Sequence, residues 1–149
     1  MCFKSKVQGN IQVVPKYKLY STSGEWLGGK LQRLSINPTH LWDGEYFYHS
    51  GPDWQKIIND VLLNMPKYTT DKFDCDNFSM LTCSRVIEKY QVNGMGIAIG
   101  SSPMGYHAFN IFLAYSAEDE AELFMLEPQT GVIMELNTEG YHIDSVIWG

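Results

Sequence analysis

From residue 50 onward the apolar positions settle into a helical rhythm. Trp54, Ile57, Ile58, Val61 and Leu62 recur at intervals of three and four, which lines one face of an amphipathic helix. Ser50 offers the cap, Pro52 suits the first turn, Asp53 lies near the positive helix end, and Pro66 stops the run. A second helix is predicted from about Asp74 to Tyr90, with Met80, Cys83, Ile87 and Tyr90 as its apolar stripe and Asn77, Ser84, Arg85 and Glu88 on the opposite side. After "QVNG" the rhythm changes. The runs "MGIAIG", "YHAFNIFLAY", "AELFMLE", "GVIMEL" and "YHIDSVIW" read as strands separated by turn-forming stretches. Helices first and consecutive strands afterwards predict an α+β domain with a mostly antiparallel sheet.

The first fifty residues carry a weaker pattern. "KVQGNIQVVPKYKLY" is strand-like but interrupted by Pro15, and "STSGEWLGGKLQRLSINPTH" is dense in turn residues. We read 1–50 as a segment that wraps a core at 51–149, all in one domain, since no repeat or linker divides the chain. Its aromatic residues, among them Trp26, Trp42 and Tyr46, could dock on the core or on a second copy in a homo-oligomer.

Composition narrows the function. With 44% apolar and 19% charged residues over 149 positions, the chain can build its own core without a metal or disulfide staple. A formal net charge of −6 argues against a protein that grips nucleic-acid phosphate. The basic start "MCFKSK" lacks the apolar run of a signal peptide, and no stretch has the length of a membrane span, so a soluble, cytoplasmic protein is expected. Cys2, Cys75 and Cys83 are odd in number and match no disulfide or zinc spacing, so reduced thiols are expected.

One of these thiols stands out by its neighbours. In "FDCDNFSML" Cys75 opens a helix between Asp74 and Asp76. Unpaired N–H groups at a helix start favour negative charge on sulfur, whereas the flanking carboxylates oppose it. A cationic partner is therefore needed: a histidinium, a bound metal, or both. His107 in "GYHAFNIF" is the candidate; a helix packed on the face of Phe109, Ile111 and Leu113 would bring it to Cys75. Glu127 in "LEPQTG" is the best residue to hold the imidazole, with Asn110 as rival; Gln129 and Asn110 are the candidate substrate-binding residues, Gln129 for a substrate carbonyl.

The order "FDCDNFSML", "GYHAFNIF", "LEPQTG" resembles papain-like and transglutaminase-like cysteine peptidases. It is similar to the C-terminal domain of Marasmius-type fungal agglutinin and to small phage-encoded relatives. The resemblance covers roughly residues 50 to 135 and implies a papain-like fold, with Cys75 as nucleophile, His107 as general acid and base, and Glu127 as orienting residue. It implies a cysteine-dependent hydrolase acting on peptide or isopeptide bonds of a protein or peptide substrate through a thioester. Several relatives depend on calcium, which would make Asp74 and Asp76 its oxygen ligands. No Gln stands six residues before Cys75; Thr69 is there.

Two other readings compete: a phage-type effector that binds a host protein on an inactive scaffold of this kind, and a metal-dependent hydrolase using the acidic cluster. Cys83 reads as core, Cys2 as a remote candidate for an N-terminal thiol, and "SAEDEAE" as a solvated hairpin turn. His40, His49 and His142 read as surface or loop residues. "GMGIAIG" lacks the helix that follows a dinucleotide-binding turn and reads as a strand.

Overall fold

The computed structural model describes residues 16–116 and 121–149. Cys2, the basic start and most of "SAEDEAE" lie outside the described residues. The elements run β1 (Tyr20–Ser23), α1 (Gly24–Arg33), β2 (Asn37–Leu41), β3 (Glu45–Ser50), α2 (Gly51–Val61), α3 (Cys75–Tyr90), β4 (Met95–Ser102), β5 (Gly105–Tyr115), β6 (Ala121–Glu127), β7 (Val132–Glu135) and β8 (His142–Trp148). The domain is α+β, and no described helix is long and apolar enough to cross a membrane.

The five predicted strands form the centre of one sheet. β4 pairs antiparallel with β5 and β8, β5 with β6, and β6 with β7. Before α2, the described residues 16–50 form a helix and three strands that extend this sheet. β3 and β2 join it in parallel, on β5 and β8 respectively, and β1 pairs antiparallel with β3. Leu27 and Leu31 of α1 and Tyr46 of β3 have no exposed surface, so this region supplies core as well as cover. Ser23 caps α1 by accepting the N–H of Trp26 at 3.1 Å.

In α2 the predicted face is the buried one: Trp54, Ile57, Ile58 and Val61 are fully enclosed. Trp54 also donates its indole N–H to the carbonyl of Leu113 at 2.6 Å, so its one polar atom is satisfied. The helix stops at Val61, before Pro66, because its last carbonyls find a better partner than another turn. Arg85 Nη1 donates to Val61 O at 2.7 Å and Leu63 O at 2.8 Å, joining the end of α2 to α3.

α3 starts one residue after Asp74, which forms a capping box with Asn77. Its buried face is not the predicted stripe: Phe78, Ser79, Thr82 and Val86 are enclosed, whereas Met80 and Ile87 are 44% and 42% exposed. The reason is the polar pair. Ser79 and Thr82 donate their hydroxyls to the carbonyls of Cys75 and Phe78, four residues back, at 2.9 and 2.7 Å. Satisfied in this way, two small side chains can face the sheet at no unpaired polar cost and let the helix lie close.

The helix is fastened by Asn110. Its Nδ2 donates to Ser79 O at 3.0 Å and Gly96 O at 3.2 Å, and lies 3.2 Å from Cys83 Sγ. This corrects two expectations: α3 lies against the Asn110 side of β5 rather than the side of Phe109, and Asn110 is an enclosed strut rather than a substrate-binding residue. Cys83 belongs to the same contact, and burial pushes its thiol up to about 12.

Candidate functional site

The cleft forms where three loops and element ends converge. Cys75, the first residue of α3, is half-buried at one wall. The opposite wall is the β4–β5 turn. Ser102 Oγ accepts the N–H of Met104 at 3.1 Å and donates to Gly105 O at 3.2 Å. Gly105 has φ +109°, a conformation that residues with a Cβ rarely adopt. The turn holds Met104 and Tyr106 outward, 66% and 72% exposed, and Tyr68 stands at the rim with 48% exposure.

The floor is polar. His107 and Glu127 are almost wholly buried and meet Nε2 to Oε2 at 2.8 Å. The other oxygen of Glu127 accepts the backbone N–H of Gln129 at 3.2 Å. The turn after β6 is closed by Gly131 N–H donating to Glu127 O at 2.8 Å, with Gly131 at φ +76°. Glu127 is thus fixed by its own loop and in turn fixes the ring, leaving Nδ1 as the nitrogen available to a ligand. The cleft measures about 230 Å³ and is lined by Tyr68, Cys75, Met104, Tyr106, His107 and Gln129.

Charge around this floor is one-sided. Desolvation, and then the Glu127 carboxylate, raise the Tyr141 hydroxyl above its ordinary range. Outside the cleft, the Asp74 carboxyl is raised chiefly by its hydrogen bond to Asp76, with the like charge adding to it. The donor atoms of Asp74, Cys75 and Asp76 all lie within 4.8 Å of one another.

The structure therefore brings Cys75, His107, Glu127 and Gln129 together, sets Asp74 and Asp76 beside them, and leaves Asn110 elsewhere. Sequence reading missed Tyr68, Met104 and Tyr106. The turn signal "SSPMG" marks where two of them lie, but nothing in the periodicity says they stay exposed. It also misread His49, which is buried with Nδ1 2.8 Å from Lys18 O, whereas His142 is exposed as expected and pairs with Asp144 on β8 at 3.3 Å.

No known family matches the chain in sequence, and no curated protein does. Solved structures do match in fold. A PSL1a–E64 complex has a TM-score of 0.67 at 22% identity, covering 85% of this chain and 51% of its own. Polyporus squamosus lectin bound to the human-type influenza-binding epitope Neu5Acα2-6Galβ1-4GlcNAc has a TM-score of 0.67 at 21% identity, covering 85% of this chain and 49% of its own. The chain thus spans about half the length of these proteins. Identity this low carries the fold alone.

These findings correct the resemblance to papain-like and transglutaminase-like cysteine peptidases, because the fold is shared with a lectin. The expected cysteine-dependent hydrolase, its peptide or protein substrate and its phage setting fall with it, as does the metal-dependent hydrolase. No comparison supports the phage-type effector either. The physical reason is that the pattern was too small: a thiol, an imidazole and a carboxylate in a given order describe a polar cleft, not what the cleft does with its occupant.

Proposed function

We propose that this chain is a binding module whose cleft takes one neutral sugar unit. The observation that carries the reading is the pairing of exposed tyrosine rings, Tyr68 and Tyr106, with a fixed polar floor at His107 and Gln129. A pyranose has the matching anatomy: a face of C–H groups that lies on an aromatic ring, and a rim of hydroxyls that needs donors and acceptors. The glycan bound by the lectin neighbour supports sugars as the ligand, although that glycan carries a sialic acid and that chain is about twice as long. Without a bound cation, charge favours neutral units over sialic acid, since Glu127 lies behind the floor, Asp74 and Asp76 flank Cys75, and the chain carries −6.

The test is an NMR titration of labelled protein with galactose, N-acetylglucosamine and N-acetylneuraminic acid. Amide shifts around Gln129 and Tyr106 are expected with a neutral sugar, and Gln129→Ala should weaken its binding about fivefold, the worth of one hydrogen bond. Absence of any shift at tens of millimolar sugar overturns the reading.

The residues of the floor act as a set in this proposal: Glu127 holds His107 through Nε2, which leaves Nδ1 for the ligand. Asp74 and Asp76 are the residues that would hold calcium. Two carboxylates that repel each other are relieved by a hard cation, and oxygen donors suit it, but the Cys75 sulfur does not. Most of its shell would be water, so millimolar affinity is expected. The cation would supply positive charge at the start of α3.

Because the folded-state carboxyl of Asp74 is raised, its pair with Asp76 lowers stability as pH rises from the unfolded carboxylate range through the folded one. Asp76→Asn should remove that loss at pH 7 and also remove any increase in melting temperature caused by calcium. A calcium effect that survives Asp76→Asn would assign the ion elsewhere.

A further inference from the structure

The cleft is smaller than pockets that enclose whole drug-sized ligands, which run from about 300 to 1,000 Å³. An oligosaccharide entering it must leave most of itself outside, and the surface next to Tyr106 is built to receive it. β4 pairs Ser101 with Tyr106 of β5 on one side and with His142 of β8 on the other. Three adjacent strands therefore present Tyr106, Ser101 and His142 in one row, all exposed. Asp144 stands next along β8, 3.3 Å from His142 Nε2 through Oδ1 and 44% exposed. It also lies close enough to Tyr106 that its charge and hydrogen bond add to desolvation in raising that hydroxyl.

We propose that Tyr106, His142 and Asp144 form a second sugar subsite, continuous with the cleft, for the next neutral unit of an oligosaccharide. This rests on the cleft being a sugar site, as proposed above. Tyr106 is the shared element: its ring belongs to the cleft lining and to the row. His142 and the Tyr106 hydroxyl both engage the Asp144 carboxylate and orient it, its remaining lone pairs can accept from a sugar hydroxyl, and the imidazole and Ser101 add donors and acceptors at its side. The carboxylate excludes an anionic unit here, which makes the subsite selective for hexoses and N-acetylhexosamines. Gly140 at φ +84° and its close approach to Pro103 fix the β7–β8 turn against the β4–β5 turn, so the two walls keep their spacing.

The experiment compares the full chain with its Asp144→Asn and His142→Ala variants, titrated by NMR with galactose, N-acetylglucosamine and the disaccharide Galβ1-4GlcNAc. For wild type, the disaccharide should bind about tenfold more tightly than the better monosaccharide, and only the disaccharide should shift the amides of Ser101 and Asp144. In Asp144→Asn, a nearly isosteric change at an exposed position, that affinity ratio should fall toward one. Thermal unfolding of each variant confirms that the fold is kept. If wild type binds both sugars but the ratio is the same in all three proteins, the second subsite is overturned while the cleft stands. If wild type binds neither, the cleft reading itself fails and the subsite with it.

Discussion

Gly100→Ala is expected to be the most destructive single methyl group that can be added to this fold. Gly100 sits in β4, where the pairing with β8 changes register between Ile99 and Gly100. A Cβ there would fall on the carbonyl oxygen of His142 and within 3.0 Å of the Ile143 Cα. Both obstacles are backbone, so no rotamer change relieves them; β8 must move or unpair. The expected loss is about 4 kcal/mol or more, in the range reserved for failures of the framework itself. Thermal or urea unfolding checks it. A variant that unfolds within about 1 kcal/mol of wild type would mean that the β4–β8 register is wrong, and with it the alignment of Tyr106, Ser101 and His142.

Glu127→Ala should rank second, and its effect should reach the cleft. The carboxylate is enclosed and has three roles: it accepts from His107, it accepts from the Gln129 N–H, and it charges the surroundings of Tyr141. Truncation leaves a buried ring nitrogen and a backbone donor without partners, at a cost on the order of 2–4 kcal/mol. Glu127→Gln keeps an acceptor for either group and should recover part of it. One further readout separates loss of the network from simple destabilisation. Tyr141 should titrate closer to the ordinary tyrosine range, because part of what raises it has gone. A Tyr141 that titrates as in wild type would mean that the carboxylate does not act on it.

Much of the fold could be read from the chain, and the exceptions share a cause. α2 was legible because four large apolar residues share one face and Ser50, Pro52 and Asp53 mark its start. The five strands from β4 to β8 were legible because their apolar runs are bounded by turn residues. α1 was not: three glycines in ten residues hide a helix whose evidence is Ser23 as cap and Leu27 and Leu31 one turn apart. The buried face of α3 was misread because small hydroxyl residues fill it, and a pattern built on hydrophobicity gives them no weight. The parallel pairing of β2 with β8 joins residues more than a hundred positions apart and leaves no local mark.

At the site, the order of Cys75, His107 and Glu127 was visible, and the geometry that places two of them in one cleft with the third behind was not. Asn110 was misjudged for a physical reason. An amide on a core strand must find partners, and whether they are a ligand or a helix backbone depends on what packs above it. The rim residues were invisible because exposure of a tyrosine is decided by the turn that carries it, here by Gly105 and Ser102.

The residues that line the cleft or hold its floor come from one stretch, from Tyr68 to Gly131, whereas β2 is added at one edge of the sheet, on β8, near the two ends of the described chain. Contacts within the first group bridge short loops; closing the second costs the entropy of a loop about a hundred residues long. Assembly should follow that difference. The β4–β5–β6 meander with α3 against it is expected to gain hydrogen-exchange protection early, and the β2–β8 seam last. The cleft would then form before β2 docks at the edge of the sheet, and opening of that seam in the mature protein would leave the walls of the cleft in place.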